Sequence, residues 1–307
     1  MYLEFFNLKK RPFSLSPNPE FLFNTPSHRE AYSQMVYAIT EDSGFMMLTG
    51  EVGTGKTLLI NHLMEDIPQD YQIVKVHFTM CTAKALLQGI CNEFGLPYLG
   101  RTRSELVLKL QEYLKWCYSE GNKSVVILDE AQNLSRESLE IVRLLSNVEA
   151  VHEKFFQILL VGQPELSAML AQSDLRQLRE RIGLRFRLEP LSREETKQYI
   201  THRLTIAGKD YNDTFFTDGA LNRIYGLTKG VPRRINILCN NALLVAYATD
   251  ARSIDSDLVD EASFDETREK PNSPLSRTQE IEHYVQTAAP RVIEPWQKPS
   301  EEKGQQS

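Results

Sequence analysis

The chain has 307 residues, enough for one large domain or two of ordinary size at about 150 residues per domain. Its 41% hydrophobic and 25% charged residues match globular proteins and exclude collagen-like, coiled-coil and wholly disordered chains. The net charge of -6 argues against a dedicated nucleic-acid coat protein. The apolar runs are too short for a membrane-spanning helix, and the N-terminus lacks the order of a secretory signal. We therefore expect a cytoplasmic protein.

The chain begins with an aromatic and Pro-rich stretch, residues 1–40, which we expect to pack on the core as a linker without regular structure. Four cysteines are predicted to be reduced core residues, because their spacing lacks the Cys-x-x-Cys pattern of metal and redox sites. They are Cys81, Cys91, Cys117 and Cys239.

Residues 41–189 alternate short apolar runs with amphipathic helical patterns, which is typical of a parallel sheet with crossover helices. A capping box, Thr102-x-x-Glu105, predicts the start of one such helix. The sequence thus predicts an α/β fold with a five-stranded parallel sheet and helices on both faces. The expected strands, buried on both sides, are Phe45–Thr49, Ile73–Phe78, Ser124–Asp129, Phe155–Val161 and Leu184–Leu188.

After Pro190 the strand patterns stop, and a second capping box, Ser192-x-x-Glu195, opens a run of helical patterns. We expect a small all-helical lid domain over residues 190–267. Its further helices are predicted around Ala220–Tyr225, Arg233–Ala248 and Ser256–Glu266. Residues 268–307 contain few large apolar residues and several prolines, so the tail is predicted to be disordered.

The strongest motif follows the first strand. Residues 50–57 fit the G-x-x-x-x-G-K-[ST] pattern of a phosphate-binding P-loop, between a predicted strand and a predicted helix. In such a loop the backbone N–H groups surround phosphate oxygens, the lysine holds the terminal phosphates and the hydroxyl ligates Mg²⁺. The predicted ATP-binding residues are Gly50, Glu51, Val52, Gly53, Thr54, Gly55, Lys56, Thr57 and Leu58, with Thr57 also a metal ligand.

Two adjacent acids end the strand Ser124–Asp129. An acid at the carboxyl end of a buried strand beside a P-loop strand suits the Mg²⁺ shell, which is the role predicted for Asp129. A second carboxylate, Glu130, is placed to accept a proton from an attacking water, and this favours hydrolysis over nucleotide binding without turnover.

Three further features have more than one interpretation. Gln163, after the strand that we expect between the two phosphate-binding strands, either orients the water or is an ordinary turn residue. Phe13 and its neighbours either stack on an adenine edge or complete the core. The arginine-rich segment Arg176–Arg187 includes Arg179 and Arg181. It either supplies an arginine finger to a neighbouring subunit or forms a solvated face, and contact with DNA is a third interpretation.

Arg233, at a predicted helix start, can reach the phosphates.

These motifs, with Gly162-Gln163-Pro164-Glu165-Leu166 and the opening segment Met1–Phe23, make the chain similar to AAA+ ATPases of the ExeA type (general secretion pathway protein A), including MshM-like pilus-biogenesis proteins. The resemblance covers about residues 1–266. It implies an ATP-driven homo-oligomeric ring or filament, with Gln163 as sensor 1, Arg233 as sensor 2, and Arg179 or Arg181 as the trans finger. It also implies a role in a secretion or type IV pilus system, with the protein peripheral to the inner membrane through a partner.

Secretion-type relatives carry a membrane span and a peptidoglycan-binding domain, which we do not find in the sequence, so the shorter pilus type is favoured. Transposition regulators of the TnsC type share the same ATPase core and bind DNA, and they remain an alternative. A non-catalytic ATP switch is a second alternative, and a small-molecule kinase is the least favoured.

Overall fold

The computed structural model describes residues 2–16, 18–68, 70–77, 82–145, 149–150, 153–154, 156–209 and 215–263. The strands are β1 (Phe45–Gly50), β2 (Tyr71–His77), β3 (Lys123–Asp129), β4 (Glu149–Ala150), β5 (Glu153–Lys154), β6 (Phe156–Gly162) and β7 (Ile182–Leu188). The helices are α1 (Tyr2–Phe5), α2 (Pro26–Thr40), α3 (Lys56–Asp66), α4 (Ala83–Glu93), α5 (Arg103–Ser119), α6 (Arg136–Leu145), α7 (Pro164–Leu170), α8 (Arg176–Arg181), α9 (Arg193–Ile206), α10 (Asp218–Thr228), α11 (Pro232–Ala248) and α12 (Ser256–Ala262).

Five strands form one parallel sheet in the order β2-β3-β6-β1-β7, which confirms the predicted fold class. Each expected strand lies within one or two residues of an observed one, apart from Phe78 and Phe155, which lie outside the described residues. A separate antiparallel pair joins β4 to β5.

The sheet is covered on both faces, and β1 shows how its residues divide between them. Met46 and Leu48 belong to a buried cluster with residues of α2 and α3, whereas Phe45 and Met47 belong to a cluster with residues of α4 to α7. Side chains alternate between the two faces along a strand, so a strand covered by helices on both sides must be apolar throughout.

The register brings the carboxyl ends of the central strands to one edge. Thr49 of β1 pairs with Gly162 of β6, and Leu128 of β3 pairs with Leu160 of β6. Because all the strands are parallel, the residues that follow β1, β3 and β6 meet at that edge. It is the edge where the P-loop begins.

The stretch before the sheet differs from the expectation of irregular structure up to Ile39. Residues Pro26–Thr40 form α2, whose start is capped by the Thr25 side chain and carries proline in its first turn. Ala31, Met35 and Ala38 are buried against the sheet at helical spacing. The prolines and aromatic residues before Thr25 suggest irregular structure, and the start of the helix was not predicted for that reason.

The first residues pack on the helical part rather than on the sheet. Phe6, Leu8 and Phe13 share a buried cluster with residues of α9 to α12. Phe13 is 2% exposed and makes an edge-to-face contact with Phe216. Of its two interpretations, core packing is therefore the one that the structure supports.

The helical part follows β7, and both predicted capping boxes are present, at the starts of α5 and α9. Cys91, Cys117 and Cys239 are buried free thiols, and Cys81 lies outside the described residues. The predicted disordered tail, 268–307, also lies outside them, as does the end of the helix predicted over Ser256–Glu266. Among the described helices, none is both long and apolar enough to cross a membrane.

Candidate functional site

The P-loop connects β1 to α3 through two glycines in left-handed conformations. Gly53 has a φ of 84° and Gly55 a φ of 99°, values that side chains with a Cβ rarely adopt. Their space is restricted as well: a Cβ on Gly53 would lie 2.4 Å from Arg233 Cβ, and one on Gly55 would lie 3.0 Å from His28 Nε2. Both the backbone conformation and the limited space therefore favour glycine at these two positions.

The first turn of α3 presents unpaired donors. In the described part of the chain, the N–H groups of Gly55, Lys56, Thr57 and Leu58 make no hydrogen bond, and Gly55 provides no side-chain cap. Free N–H groups at the start of a helix, together with the helix dipole, form an anion site. This arrangement fits a phosphate chain.

Lys56 lies within the loop. Its Nζ donates to the carbonyl oxygens of Gly50 at 2.7 Å and Glu51 at 2.9 Å. Burial lowers the pKa of Lys56 from its ordinary value of 10.5, while the negative charges of Glu130 and Asp129 oppose that shift. The ammonium group is therefore held at the sheet edge close to both acids, where phosphate oxygens can replace the two carbonyls as its partners.

A cavity of about 390 Å³ lies over the P-loop, between the sheet edge, the helical part and the N-terminal segment. Its volume is in the range of ordinary ligand pockets. Of the predicted site residues, it is lined by Val52, Gly53, Thr54, Gly55, Lys56, Thr57, Leu58, Glu130, Gln163 and Arg233. Gly50, Glu51, Asp129, Arg179 and Arg181 do not line the cavity.

Asp129 is the buried end of β3, with a side chain 3% exposed. Its Oδ2 lies 3.4 Å from Lys75 Nζ and 3.6 Å from His77 Nδ1, both on the adjacent strand β2. Its Oδ1 accepts the Glu130 N–H at 3.0 Å. The carboxylate is thus oriented by its neighbours, and with the Thr57 hydroxyl it offers the oxygen donors that Mg²⁺ prefers.

Glu130 leaves the strand in a left-handed conformation, with φ 55° and ψ 39°, which is uncommon for a residue with a side chain. Gln132 Nε2 donates to Glu130 Oε2 at 2.6 Å, and Gln163 Nε2 donates to the same oxygen at 3.3 Å. Glu130 and Gln163 are thereby brought together on the wall of the cavity.

The charge of Glu130 suits a proton acceptor. Burial raises its pKa, but hydrogen bonds from Gln132 and Gln163 and the positive charge of Lys56 outweigh that effect, so the pKa lies below the ordinary 4.5. The side chain is therefore a carboxylate at neutral pH. A carboxylate beside a phosphate site can accept the proton of an attacking water.

The arginine segment lies away from this cavity. Arg176 pairs with Glu180 at 2.7 Å and Arg187 with Glu189 at 2.9 Å, as in a solvated charged face. Arg179 Nη1 donates to the Ala171 carbonyl at 3.3 Å, and Arg181 Nη1 donates to the Arg143 carbonyl at 3.1 Å. Neither of these two arginines contacts the cavity of its own chain.

Arg233 is placed differently, because the start of α11 rests on the P-loop. The Arg233 N–H donates to the Gly53 carbonyl at 3.3 Å, and its exposed side chain lines the cavity. The helical part and the phosphate site therefore share a direct backbone contact.

His28 is a site residue that the sequence did not indicate. It is 6% exposed, on α2, and its Nε2 lies 3.0 Å from the Thr54 carbonyl oxygen. Because a carbonyl can only accept, Nε2 carries the proton, and Nδ1 accepts from the Thr25 hydroxyl at 2.7 Å. Burial lowers the pKa of His28 and keeps the imidazole neutral at pH 7. A single histidine 26 residues from its partner gives no local signal.

We expect His28→Ala to weaken ATP binding about tenfold, because the P-loop loses a buried donor that corresponds to about 1.4 kcal/mol. The dissociation constant for Mg²⁺ and a non-hydrolysable ATP analogue, measured by calorimetry, checks this. His62→Ala is the matched control, because His62 is a partly buried histidine of α3 that does not line the cavity. Equal affinities for His28→Ala and the wild type would contradict a role for His28 at the loop.

A buried polar chain also lines the cavity and was not predicted. Arg203 Nη1 donates to the Tyr199 hydroxyl at 2.6 Å, which donates to Asn236 Oδ1 at 3.0 Å. Arg203 Nε also donates to the Pro12 carbonyl at 2.6 Å, and its guanidinium lies over the Phe21 ring at 4.8 Å. These contacts fasten the N-terminal segment to α9 and form the far wall of the cavity.

The chain is similar in sequence to a known domain family and to two curated proteins. The AAA domain family matches residues 39–170. The chain is 41% identical over 255 residues to General secretion pathway protein A of Aeromonas hydrophila, covering 83% of this chain and 46% of that protein. It is 26% identical over 141 residues to an uncharacterised HTH-type transcriptional regulator of Methanocaldococcus jannaschii, covering 45% of this chain and 34% of that protein. The chain thus spans less than half the length of these curated relatives.

Two solved structures show the same fold. The Cdc6p structure from Pyrobaculum aerophilum has a TM-score of 0.65 at 17% identity and covers 82% of this chain and 69% of that one. The Aeropyrum pernix ORC2 structure, in ADPNP-ADP complexes, has a TM-score of 0.61 at 19% identity and covers 89% of this chain and 74% of that one. At such identities the likeness concerns the fold.

Fold, P-loop and family match together define the class: this is an AAA+ protein, a class of P-loop proteins that bind nucleotides, usually with Mg²⁺. Within that class, the chain is ExeA-like, since 83% of its length is similar in sequence to general secretion pathway protein A. The free N–H groups, the left-handed glycines and Lys56 fit a nucleotide's phosphates.

Proposed function

We propose that this protein binds ATP with Mg²⁺ and hydrolyses it to ADP and phosphate. The observation that carries the proposal is the ionised Glu130 carboxylate on the wall of the P-loop cavity, at the same sheet edge as Lys56. A carboxylate held by two amide groups beside a phosphate site is suited to accept a proton from water, and this supports hydrolysis rather than binding alone.

In this mechanism the P-loop N–H groups and Lys56 bind the phosphate chain, and Gln163 orients a water beside Glu130. Glu130 takes a proton from that water while the water oxygen bonds to the terminal phosphorus of ATP. The bond between that phosphorus and the bridging oxygen breaks, and ADP leaves with the bridging oxygen. Thr57 and Asp129 would hold Mg²⁺, and the ion would supply positive charge that neutralises the phosphates. Arg233, at the start of α11, reaches the phosphates from the helical side.

The experiment that tests this function is steady-state phosphate release by the purified protein with ATP and Mg²⁺. A non-catalytic switch, the alternative from another class, would bind ATP and release phosphate only at trace level. A DNA-dependent regulator would show stimulation and binding when DNA is added at low salt, where phosphate-driven affinity is largest.

We further propose that the protein acts as a homo-oligomer in which Arg179 or Arg181 serves the site of the next subunit. Both arginines lie outside the cavity of their own chain, as a finger supplied in trans requires. In a ring or filament, each subunit contributes different faces to its two neighbours. Stabilisation of charge on the transferred phosphoryl group would then depend on assembly.

Mixing two inactive variants tests this arrangement. Glu130→Gln retains the arginines, and Arg179→Ala or Arg181→Ala retains Glu130. In an equimolar mixture that assembles at random, about a quarter of the interfaces combine an intact Glu130 with an intact arginine. We expect turnover to reappear in the mixture for the arginine that acts in trans. A mixture that stays as inactive as its components for both arginines would contradict the trans assignment.

The cellular role that we propose is assembly or energising of a secretion or type IV (MSHA-like) pilus system, peripheral to the inner membrane through a partner protein. It is supported by the 41% identity to General secretion pathway protein A. Co-purification of this chain with inner-membrane secretion or pilus components, dependent on ATP, would support the role. Loss of the gene without effect on secretion or piliation would contradict it.

A further inference from the structure

Gln132 connects Glu130 and Gln163, the two polar residues that the mechanism uses. It lies in the short 3₁₀ turn Ala131–Asn133 that follows β3. Its Oε1 accepts the backbone N–H of Gln163 at 3.1 Å, and its Nε2 donates to Glu130 Oε2 at 2.6 Å. Because a backbone N–H can only donate, the amide orientation is fixed, and its N–H₂ must face the carboxylate.

The space for this side chain is provided by the last residue of β6. A Cβ added to Gly162 would lie 2.7 Å from Gln132 Oε1 and 3.0 Å from Leu166 Cδ2. The amide therefore packs directly against the backbone at the end of β6. It joins the end of β3 to the start of α7, across the two strands whose ends form the site.

Gln132 and Gln163 both donate to the same oxygen of the Glu130 carboxylate, so the other oxygen does not take part in this contact. Oε2 accepts from both Gln132 and Gln163, whereas among the described residues no donor is bonded to Oε1. A carboxylate held through one oxygen has a fixed plane, so the direction of its second oxygen is fixed as well.

We propose that Gln132 is a positioning residue, which holds the Glu130 carboxylate against the end of β6 so that Oε1 faces the water to be deprotonated. This role rests on the proposed hydrolysis. It adds that the base and Gln163 form one rigid unit, with Gln132 as the link that sets their separation.

Gln132 does not line the cavity, whereas Glu130 and Gln163 do. A change at Gln132 should therefore alter the chemical step and leave nucleotide binding nearly intact. This separates a positioning residue from a ligand of ATP, whose loss would raise KM, and from a residue that supports only folding.

The test is the ATPase activity of Gln132→Met, which keeps the length of the side chain and removes both hydrogen bonds. We expect kcat to fall on the order of 10- to 100-fold, because misplacement of a reacting group by about 1 Å has an effect of that size. KM for ATP should stay within about twofold of the wild-type value. Gln132→Glu keeps the acceptor for Gln163 but cannot donate to Glu130, and it should be at least as slow.

Gln34→Met is the matched control, because Gln34 also donates from Nε2 to a glutamate, Glu30, at 3.0 Å, but on the exposed face of α2. It should retain wild-type kcat. Gly162→Ala, which presses on Gln132 without changing it, should lower kcat in the same direction. Thermal unfolding of each variant identifies any that fail to fold.

The outcomes separate this inference from the proposed function. If the wild type turns over ATP, Glu130→Gln does not, and Gln132→Met keeps wild-type kcat, Gln132 has no positioning role although the proposed function stands. A raised KM with unchanged kcat would make it a binding residue and would also overturn the inference. If Glu130→Gln turns over as fast as the wild type, the proposed function fails, and the role of Gln132 fails with it.

Discussion

Glu130→Gln should bind ATP as the wild type does and release phosphate about 100- to 10,000-fold more slowly, the contribution of a positioned general base. The substitution keeps the shape of the side chain, and its amide oxygen can still accept from Gln132 and Gln163, so the loss isolates the negative charge. Because the pKa of Glu130 lies below 4.5, wild-type turnover should lose this contribution only at lower pH, where the carboxylate takes up a proton.

Single-turnover phosphate release and the dissociation constant for ATP, measured on the same preparation, check both halves of this expectation. Glu112→Gln, an exposed glutamate on α5, is the control for loss of one carboxylate. Turnover in Glu130→Gln within a few-fold of the control would remove Glu130 from the mechanism. Loss of binding would instead show that the carboxylate shapes the nucleotide site.

Lys56→Met should weaken ATP binding by about 3 kcal/mol, which is about 150-fold, because a buried phosphate partner is lost. Methionine keeps much of the apolar stem, so packing under the P-loop is retained. The buried ammonium has only two carbonyls as its protein hydrogen-bond partners in the described residues, so its removal should change the free energy of unfolding little compared with its effect on binding.

Calorimetry with Mg²⁺ and a non-hydrolysable ATP analogue measures the affinity, and urea denaturation measures the stability. Lys115→Met, at an exposed position on α5, is the matched substitution. An affinity within threefold of the wild type would mean that Lys56 keeps its contacts to Gly50 and Glu51 when nucleotide binds, and it would contradict the assigned role.

The parts of the fold that depend on residues close together in the sequence were predictable. Apolar runs such as Val125–Leu128 are buried as strand β3, and the two capping boxes open α5 and α9 where their spacing places them. The P-loop was predictable for the same reason, because its glycines, lysine and threonine are consecutive. These signals are local and strong.

The rest of the site depends on contacts between distant residues. His28 meets Thr54 from 26 positions away, and Gln132 meets the backbone of Gln163 from 31 positions away. The N-terminal segment shows the same limit, because its aromatic residues could pack on either the sheet or the helices. In the structure it packs on the helices, where Arg203 contacts Pro12 and Phe21. Composition predicts that such residues are buried, but not against which surface.

The direct contact between Arg233 and Gly53 has a mechanical consequence. With 17 residues, α11 is about 25 Å long, so a tilt of about 5° at its seated end would carry its far end through about 2 Å. Gly53 has no side chain that could move aside, so a shift of the loop at this contact would displace the start of α11. If nucleotide binding moves the loop, α11 would therefore carry that movement, enlarged, to a distant surface of the chain.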